Sequence, residues 1–273
     1  MDIPDLAGRG LVLLGCGKMG SALLEGWLAG GLPASAVSAL EPNPSPRLEA
    51  LAREGLRLND YPPEPPGIAV VAVKPQSMGA ALPRLAGYGG GGTLFVSIAA
   101  GTPIRALEEA FGAGTPIVRA MPNTPAAIGR GMTALVGNDA AGEEGMRVAE
   151  TLMAAVGETA RLETEAQMDA VTAVSGSGPA YVFLMIEALA AAGEAEGLAP
   201  DLALRLARAT VAGAARLAEA PDREPSRLRA DVTSPGGTTA AALEMLMDEG
   251  DGLTPLMRRA VAAAAARSRA LAG

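Results

Sequence analysis

The chain has 273 residues, of which 49% are hydrophobic and 19% charged, so it is long and apolar enough to bury a full core. A formal net charge of −8 argues against nucleic acid or an anionic membrane as a partner. One cysteine and no histidine exclude an internal disulfide, a cysteine- or histidine-based metal site and histidine-dependent nucleophilic catalysis. The longest unbroken apolar runs, such as 68–73 and 260–266, fall far short of the ~20 residues of a membrane helix. We therefore expect a reduced, cytoplasmic protein that binds no metal.

The first part of the chain alternates short β-branched runs with helical stretches, the pattern of a parallel sheet with crossover helices. Strands are predicted at residues 11–14, 37–40, 68–73, 93–98, 117–120 and near 132–136. Helices are predicted between them at 18–29, 46–53, 76–85 and 103–110.

The residue pattern changes near residue 163. After this point no run resembles a strand, and alanine-rich helical stretches dominate. Helices are predicted at 165–174, 179–196, 200–218, 239–247 and 254–271. We place a domain boundary near Arg161, which gives domains of residues 1–161 and 162–273. Because alanine faces bury little area on their own, the helices are expected to intertwine with a second copy in a homodimer or a higher homo-oligomer.

A glycine motif follows the first predicted strand directly and opens the first predicted helix. Gly15, Gly17 and Gly20 fit the pattern in which one glycine allows the turn, one admits a pyrophosphate and one packs the helix on the strand. The helix N-terminus adds free N–H groups and the positive end of the helix dipole. In this context the motif predicts dinucleotide binding rather than an ordinary glycine-rich turn.

Residues farther along bear on which dinucleotide binds. The second strand ends at Glu41, about 20 residues past the motif, where an acid would bond the ribose 2′-OH of NAD. Asn43, Ser45 and Arg47 follow at once and could instead hold the 2′-phosphate of NADP, so NADH and NADPH both stay open. Lys74 follows the next strand at the carboxyl end of the sheet, a position that favours cofactor contact.

Three later segments combine polar side chains with glycine or proline, namely residues 121–125, 175–181 and 231–239. In the last one, paired glycines expose backbone N–H groups beside two hydroxyls, which suits a small carboxylate. Helix caps and tight turns use the same residue types. Together, however, the three segments favour a ligand pocket.

These motifs resemble the pyrroline-5-carboxylate reductase family, which makes proline in the last step of its synthesis. The similarity runs in order through GCGKMG, AVKP, SIAAG, RAMPNTP, SGSGPAY and DVTSPGGTT. It implies an α/β fold, with an N-terminal Rossmann-type doubly wound sheet followed by an all-α C-terminal dimerisation domain. The implied reaction is reduction of 1-pyrroline-5-carboxylate to L-proline by hydride transfer from NADPH or NADH.

The resemblance also implies which residues form the site. By position, cofactor contact goes to Gly15, Cys16, Gly17, Lys18, Met19, Gly20, Asn59, Ala72, Lys74 and Ala100. Substrate contact goes to Glu165, Asp231, Gly237, Thr238 and Thr239. The substrate carboxylate would rest on N–H groups of the Gly-Gly-Thr-Thr turn, and the catalytic hydroxyl of Thr239 would point at the ring nitrogen. Asn59, Glu165 and Asp231 could instead be solvated polar groups of loops or helix ends.

Two alternative functions are weighed against this one. A β-hydroxyacid dehydrogenase is similar in its opening motif, but that family places a catalytic lysine near the domain junction and this chain has none after Lys74. A non-catalytic NAD(P)-binding regulator would keep the pocket without turnover, and the intact turn at Thr239 argues against it. A protonated cyclic imine accepts hydride without a strong general acid, which fits a chain without histidine.

Overall fold

The computed structural model describes residues 8–220 and 222–272. The chain divides into two compact units. The first unit runs to Gly176 and takes in the chain again from Ala265, and the second is Ser177–Ala264. The domain boundary near Arg161 stays a prediction.

The first unit is built on an eight-stranded sheet. Its strands are β1 (Leu11–Leu14), β2 (Val37–Leu40), β3 (Arg57–Leu58), β4 (Ile68–Val71), β5 (Leu94–Ser97), β6 (Ile117–Met121), β7 (Gly131–Gly137) and β8 (Gly157–Arg161). Their order in the sheet is β3-β2-β1-β4-β5-β6-β7-β8. The sheet is mostly parallel, as predicted, and β6 and β7 form its one antiparallel pair among the described strands. The connection between them is the short 3₁₀ turn Thr124–Ile128, too short for the crossover that a parallel pair needs.

Helices cover both faces of this sheet. They are α1 (Lys18–Ala29), α2 (Pro46–Arg53), α3 (Met78–Ala81), α4 (Ile104–Phe111), α5 (Gly142–Ala154) and α6 (Met168–Val171). Leu11 and Leu13 of β1 belong to one buried cluster with α1, α2 and α5, while Val12 and Leu14 belong to another with α3 and α4. This alternation is the one expected of a central strand that is covered on both sides.

Aromatic side chains anchor both clusters. Trp27 of α1 is fully buried, and its indole N–H donates to the carbonyl of Leu152 on α5 at 2.9 Å. On the opposite face, the rings of Phe95 and Phe111 stack with their centroids 4.0 Å apart. These contacts fix α1 and α4 against the sheet, and α1 is the helix that the glycine motif opens.

Several predicted elements differ from the structure. The predicted helix 76–85 is broken into α3 and two flanking 3₁₀ segments, Pro75–Ser77 and Leu82–Tyr88. The predicted helix 165–174 consists of the 3₁₀ turn Glu165–Gln167, α6 and a π-helical turn, Thr172–Gly176. The sequence did not predict β3, β8, α5 or a seven-residue helix in the second unit.

The second unit is entirely helical among its described residues. Its helices are α7 (Gly178–Ala195), α8 (Pro200–Ala218), α9 (Pro225–Asp231), α10 (Thr238–Leu246) and α11 (Leu253–Ala272), the last of which ends in the first unit. Within this unit α7 and α8 approach closely, because a Cβ at Gly193 would lie 3.4 Å from that of Ala203. Ala190, Ala203 and Ala207 are the buried residues of the pair.

Large apolar side chains of the second unit are exposed in a single chain. On α7, Phe183 is 59% exposed and Leu184 62%. The stretch Glu165–Ala195 is also the one helical segment of the described residues that is long and apolar enough to cross a membrane, by length and composition only. Only 11% of its most apolar window is buried. Exposed apolar area of this kind marks a surface that another body covers.

Candidate active site

The glycine loop connects β1 to α1 with the geometry that close packing requires. Gly15 has φ +91°, and a Cβ there would lie 2.9 Å from the carbonyl oxygen of Ala72. A Cβ on Gly20 would lie 2.4 Å from the carbonyl oxygen of Gly15. At Gly17, by contrast, a Cβ would meet no atom within 4 Å. The loop is therefore tight on its protein side and open at Gly17, the position that faces a pyrophosphate in this motif.

The open side of the loop borders a cleft of about 470 Å³ at the carboxyl ends of β1, β2 and β4. Gly15, Gly17, Ala72 and Lys74, which were assigned to cofactor contact, line this cleft. Glu41 and Asn43, which the sequence placed near the ribose 2′-OH of NAD or the 2′-phosphate of NADP, line it as well. The other lining residues had no predicted cofactor role: Leu14, Leu40, Pro42, Val73, Ser77, Ala80, Ala81 and Arg84. These residues come from separate segments of the chain, which only the tertiary fold brings together.

The remaining residues of the loop have defined partners. The backbone N–H of Cys16 donates to Glu41 Oε2 at 2.8 Å, and the Ser21 hydroxyl donates to the carbonyl of Cys16 at 2.9 Å. Burial raises the pKa of the Cys16 thiol. Lys18 and Met19 lie in the first turn of α1, where backbone N–H groups have no acceptor within the helix. Those N–H groups can bind an anion.

Asn59 supports the cleft through Glu41. It has φ +55°, and its side-chain amide exchanges two hydrogen bonds of 2.9 Å with the backbone of Glu41. The Asn59 N–H donates to the carbonyl of Ala39 at 2.8 Å. Cofactor contact by Asn59 stays a prediction, and the structure gives its amide this definite local role.

Ala100 lies in the loop after β5 and is not among the residues that line this cleft. The neighbouring Gly101 is buried with φ +71°, and a Cβ on it would lie 3.3 Å from the side chain of Leu271 at the end of α11. The same end of α11 is held by Ser268, whose hydroxyl donates to Asp169 of α6 at 2.6 Å. The C-terminal turns of α11 thus brace the loop that contains Ala100.

Glu165 is part of an internal ion pair. Its Oε1 accepts from Arg119 Nη1 at 2.8 Å and from the backbone N–H of Ile104 at 2.8 Å. The Arg119 side chain is 6% exposed and that of Glu165 is 32% exposed. The sequence assigned no role to Arg119, although a cation inside an otherwise buried strand run is a signal that it needs a partner. Substrate contact by Glu165 stays a prediction.

Two of the predicted ligand segments meet inside the first unit. Asn123 donates through Nδ2 to the carbonyl and the hydroxyl of Ser175, both at 3.2 Å, and its Oδ1 accepts from Met132 N at 2.9 Å. Ser175 lies in the π-helical turn, a distortion that is frequent at functional sites. The polar side chain of the 121–125 loop is therefore used to position the turn.

The substrate residues predicted in the second unit surround the start of α10. Gly237 is its N-cap with φ −82° and ψ 173°, and no side chain caps the helix there. Gly236 adopts φ +67° and turns the chain into the helix. Thr238 and Thr239 form the first turn, where backbone N–H groups are free to meet an anion.

Asp231 lies at the end of α9, where its carboxylate pairs with Arg227 at 2.9 Å. The Asp231 side chain is 49% exposed, so this is a surface pair of the kind that contributes little stability. Across the described residues, no group of three or more Asp, Glu, Cys or His side chains could hold a metal ion.

The cleft fits a dinucleotide by its own geometry. Gly15 and Gly20 occupy positions that reject a Cβ, Gly17 leaves space for a phosphate, and the first turn of α1 supplies N–H groups. Lys74 adds an exposed positive charge in the same cleft. NADPH and NADH are both compatible with this donor set, in which no side chain has to act as a metal ligand or a base.

Comparison with known proteins is consistent across both units. The family model described as pyrroline-5-carboxylate reductase dimerisation matches residues 165–271, and a model described as NADP oxidoreductase, coenzyme F420-dependent, matches residues 11–101. The chain is 40% identical over 265 residues to the pyrroline-5-carboxylate reductase of Pseudomonas aeruginosa, covering 96% of each chain.

Solved structures agree with the sequence comparison. A pyrroline-5-carboxylate reductase from Coxiella burnetii superposes with a TM-score of 0.87 and 32% identity, covering 97% of this chain and 99% of that one. The Plasmodium falciparum pyrroline carboxylate reductase with NADP bound gives 0.82 and 30%, with the same coverage. The predicted fold class, a Rossmann-type sheet followed by a helical dimerisation domain, is confirmed.

Proposed function

Because this chain belongs to the pyrroline-5-carboxylate reductase family, we propose that it reduces 1-pyrroline-5-carboxylate to L-proline with NADPH or NADH. The family resemblance predicted from the motifs is thereby confirmed. The observation that carries the proposal is similarity over 96% of the chain to a protein named for this reaction. The cleft beside the glycine loop and the uncapped first turn of α10 support the proposal as sites for the dinucleotide and for the substrate carboxylate.

The reaction needs little from protein side chains beyond positioning. When bound, NADPH or NADH would supply a hydride to the carbon of the protonated imine, and the C=N π electrons would become the lone pair of the neutral ring nitrogen. The first turn of α10 would hold the substrate carboxylate on its N–H groups. Thr239 would donate a hydrogen bond to the ring nitrogen and so orient and polarise the imine. A threonine hydroxyl is a poor acid, so we assign Thr239 to orientation and polarisation of an imine that is already protonated on nitrogen.

The partner and the compartment complete the proposal. The dimerisation model covers the helical part of the chain, which supports a homo-oligomer. A homodimer, or an assembly of dimers, would cover the exposed apolar residues of α7. A reduced, cytoplasmic location is consistent with a single cysteine that is buried and free.

The test is the oxidation of NADPH or NADH in the presence of pyrroline-5-carboxylate. Thr239→Ala is expected to lower kcat by about 100- to 1000-fold, the range typical of one positioned donor. Thr239→Ser keeps the hydroxyl and is the matched control, and it should retain most of the activity. Unchanged kcat and KM in Thr239→Ala would remove Thr239 from the mechanism. An active β-hydroxyacid oxidation without imine reduction would reject the proposed reaction.

A further inference from the structure

Glu41 lies in the cleft at the end of β2, with its side chain partly exposed. The register of the sheet pairs Leu14 with Leu40, so Glu41 directly follows the strand end that lies beside the glycine loop. In Rossmann sheets an acid in this place meets the ribose hydroxyls of the adenosine half of the dinucleotide.

The carboxylate of Glu41 is held by backbone groups on two sides. Its Oε2 accepts from Cys16 N at 2.8 Å and its Oε1 accepts from Asn43 N at 3.0 Å. The Glu41 backbone is held in turn by the amide of Asn59. Moving the carboxylate out of the cleft would break both of its hydrogen bonds to the backbone. Each oxygen keeps a second lone pair that can accept from a hydroxyl.

The arginines near this charge are engaged elsewhere. Arg47 makes a two-point pair with Glu25 of α1, with N–O distances of 2.7 and 3.1 Å, and it holds the pKa of Glu25 below its usual value. Arg84 lines the cleft and donates to the Tyr61 hydroxyl at 3.1 Å. Lys74, also in the cleft, is left to meet the phosphates of the dinucleotide.

From these contacts we infer that Glu41 makes this chain bind NADH in preference to NADPH. The inference rests on the proposed function, since it requires a dinucleotide in the cleft. The ribose 2′-OH of NADH can donate to a fixed carboxylate that has lone pairs to spare. A 2′-phosphate has roughly −1.5 to −2 charges at neutral pH, and it would meet the same fixed negative charge with no hydrogen to donate.

The preference for NADH over NADPH should be as large as the contribution of one hydrogen bond to a charged group, the bond from the ribose 2′-OH to Glu41. Such a bond corresponds to an affinity ratio of about 10- to 100-fold. We expect the dissociation constant of NADH to be lower than that of NADPH by this factor. Because the difference arises in binding, it should appear without any imine substrate.

The experiment is calorimetric titration of the purified full-length chain with NADH and with NADPH. Glu41→Gln removes the charge but keeps an amide oxygen that can accept from the glycine loop. It should bring the two dissociation constants to within a few-fold of each other, mainly by tightening NADPH. Glu49→Gln removes the same charge from an exposed position on α2 and should leave the ratio unchanged.

The outcomes separate this inference from the proposed function. Wild-type binding of NADPH as tight as that of NADH, or an unchanged ratio in Glu41→Gln, would overturn the role of Glu41 and leave the reductase function standing. Selective NADH binding without turnover of pyrroline-5-carboxylate would overturn the reductase function and leave the role of Glu41 standing. Binding of neither dinucleotide would overturn both. Should Glu41→Gln not fold, the wild-type ratio alone decides.

Discussion

At the scale of single residues, the glycine loop contains two glycines with opposite reasons for being glycine. Gly20 is enclosed, since a Cβ there would lie 2.4 Å from a backbone oxygen, whereas Gly17 borders open space. Its φ of −71° is one that any residue adopts, so Gly17 is not required by the fold. The two positions therefore separate stability from binding.

The substitutions Gly17→Ala and Gly20→Ala test this difference. Gly17→Ala should leave the thermal unfolding midpoint unchanged and raise the dissociation constant of the dinucleotide by about 10- to 100-fold, because its methyl group enters the phosphate space. Gly20→Ala should destabilise the fold by about 1–3 kcal/mol through overpacking. An alanine within a helix normally stabilises it. A stabilised Gly20→Ala, or a Gly17→Ala that binds normally, would contradict the packing described.

Cys16 permits a prediction on reactivity. It is the one cysteine of the chain, it is 7% exposed, and burial raises the pKa of its thiol. A raised pKa leaves less thiolate at any pH below it, and the thiolate is the nucleophile. The native protein should therefore react slowly with a disulfide reagent at pH 8, whereas the protein in guanidinium chloride should react at the rate of a free thiol. Equal rates in the two states would show that the loop opens readily.

At the scale of elements, the sequence predicted those whose pattern is local. The strands of the central sheet are short runs of apolar residues, and β1 and β2 are found where the pattern places them. By contrast, β8 has the partly exposed sequence GETAR, and β3 has only two residues. Neither has a strand pattern of its own, and both form because their backbones pair with a neighbouring strand. The predicted helix 76–85 contains Pro83, which has no N–H to donate and ends the α-helical hydrogen bonding, and Gly79 lowers the helix propensity of the stretch.

Missed helices have the same explanation. The helix α5 begins without a side-chain cap and contains two glycines, so its local helix propensity is weak. It is stabilised mainly by the burial of its apolar residues in the core. The helix α9 has seven residues and no buried side chain. Local propensity is too weak to predict either one.

The contribution of the Arg119–Glu165 ion pair to the free energy of unfolding can be measured. Glu165→Ala should lower the free energy of unfolding by about 2–4 kcal/mol, because it leaves the buried guanidinium of Arg119 without its carboxylate. Urea denaturation of the variant measures the loss, with the exposed Glu163→Ala as control. In the double variant Arg119→Met/Glu165→Ala, part of the stability should return. No recovery would indicate that Glu165 stabilises mainly through the Ile104 N–H.

At the scale of the whole molecule, the sequence placed the motifs but not their contacts. The glycine loop, Lys74 and the turn before α10 were found because each is a continuous segment. The contacts of Glu41 with Cys16, of Asn123 with Ser175 and of Arg119 with Glu165 join segments far apart in the chain, and no local pattern contains them. The predicted roles of the site residues remain predictions until a ligand is measured.

The predicted homodimer can be tested through the exposed apolar residues of α7. Phe183 and Leu184 of α7 are more than half exposed in one chain, and a second copy would bury them. Phe183→Glu should therefore convert a dimer into a monomer in sedimentation experiments at micromolar concentration. Ala113→Glu adds the same charge at an exposed position of the first unit and should leave the dimer intact. A wild-type monomer would contradict the predicted homodimer, whereas a Phe183→Glu variant that stays dimeric would place the interface elsewhere.

The fully buried indole of Trp27 gives the molecule a built-in optical reporter. It is the single tryptophan of the chain, so indole emission excited beyond the tyrosine absorption band follows the packing of α1 against α5 and carries no signal from the helices of the second unit. Emission and far-ultraviolet circular dichroism recorded during one thermal ramp would thus report on the first unit and on all helices, respectively. Two separate midpoints would mean that the units lose their structure in sequence. A reduced nicotinamide ring absorbs where indole emits, so quenching by bound NADH would follow occupancy of the cleft in the same cuvette.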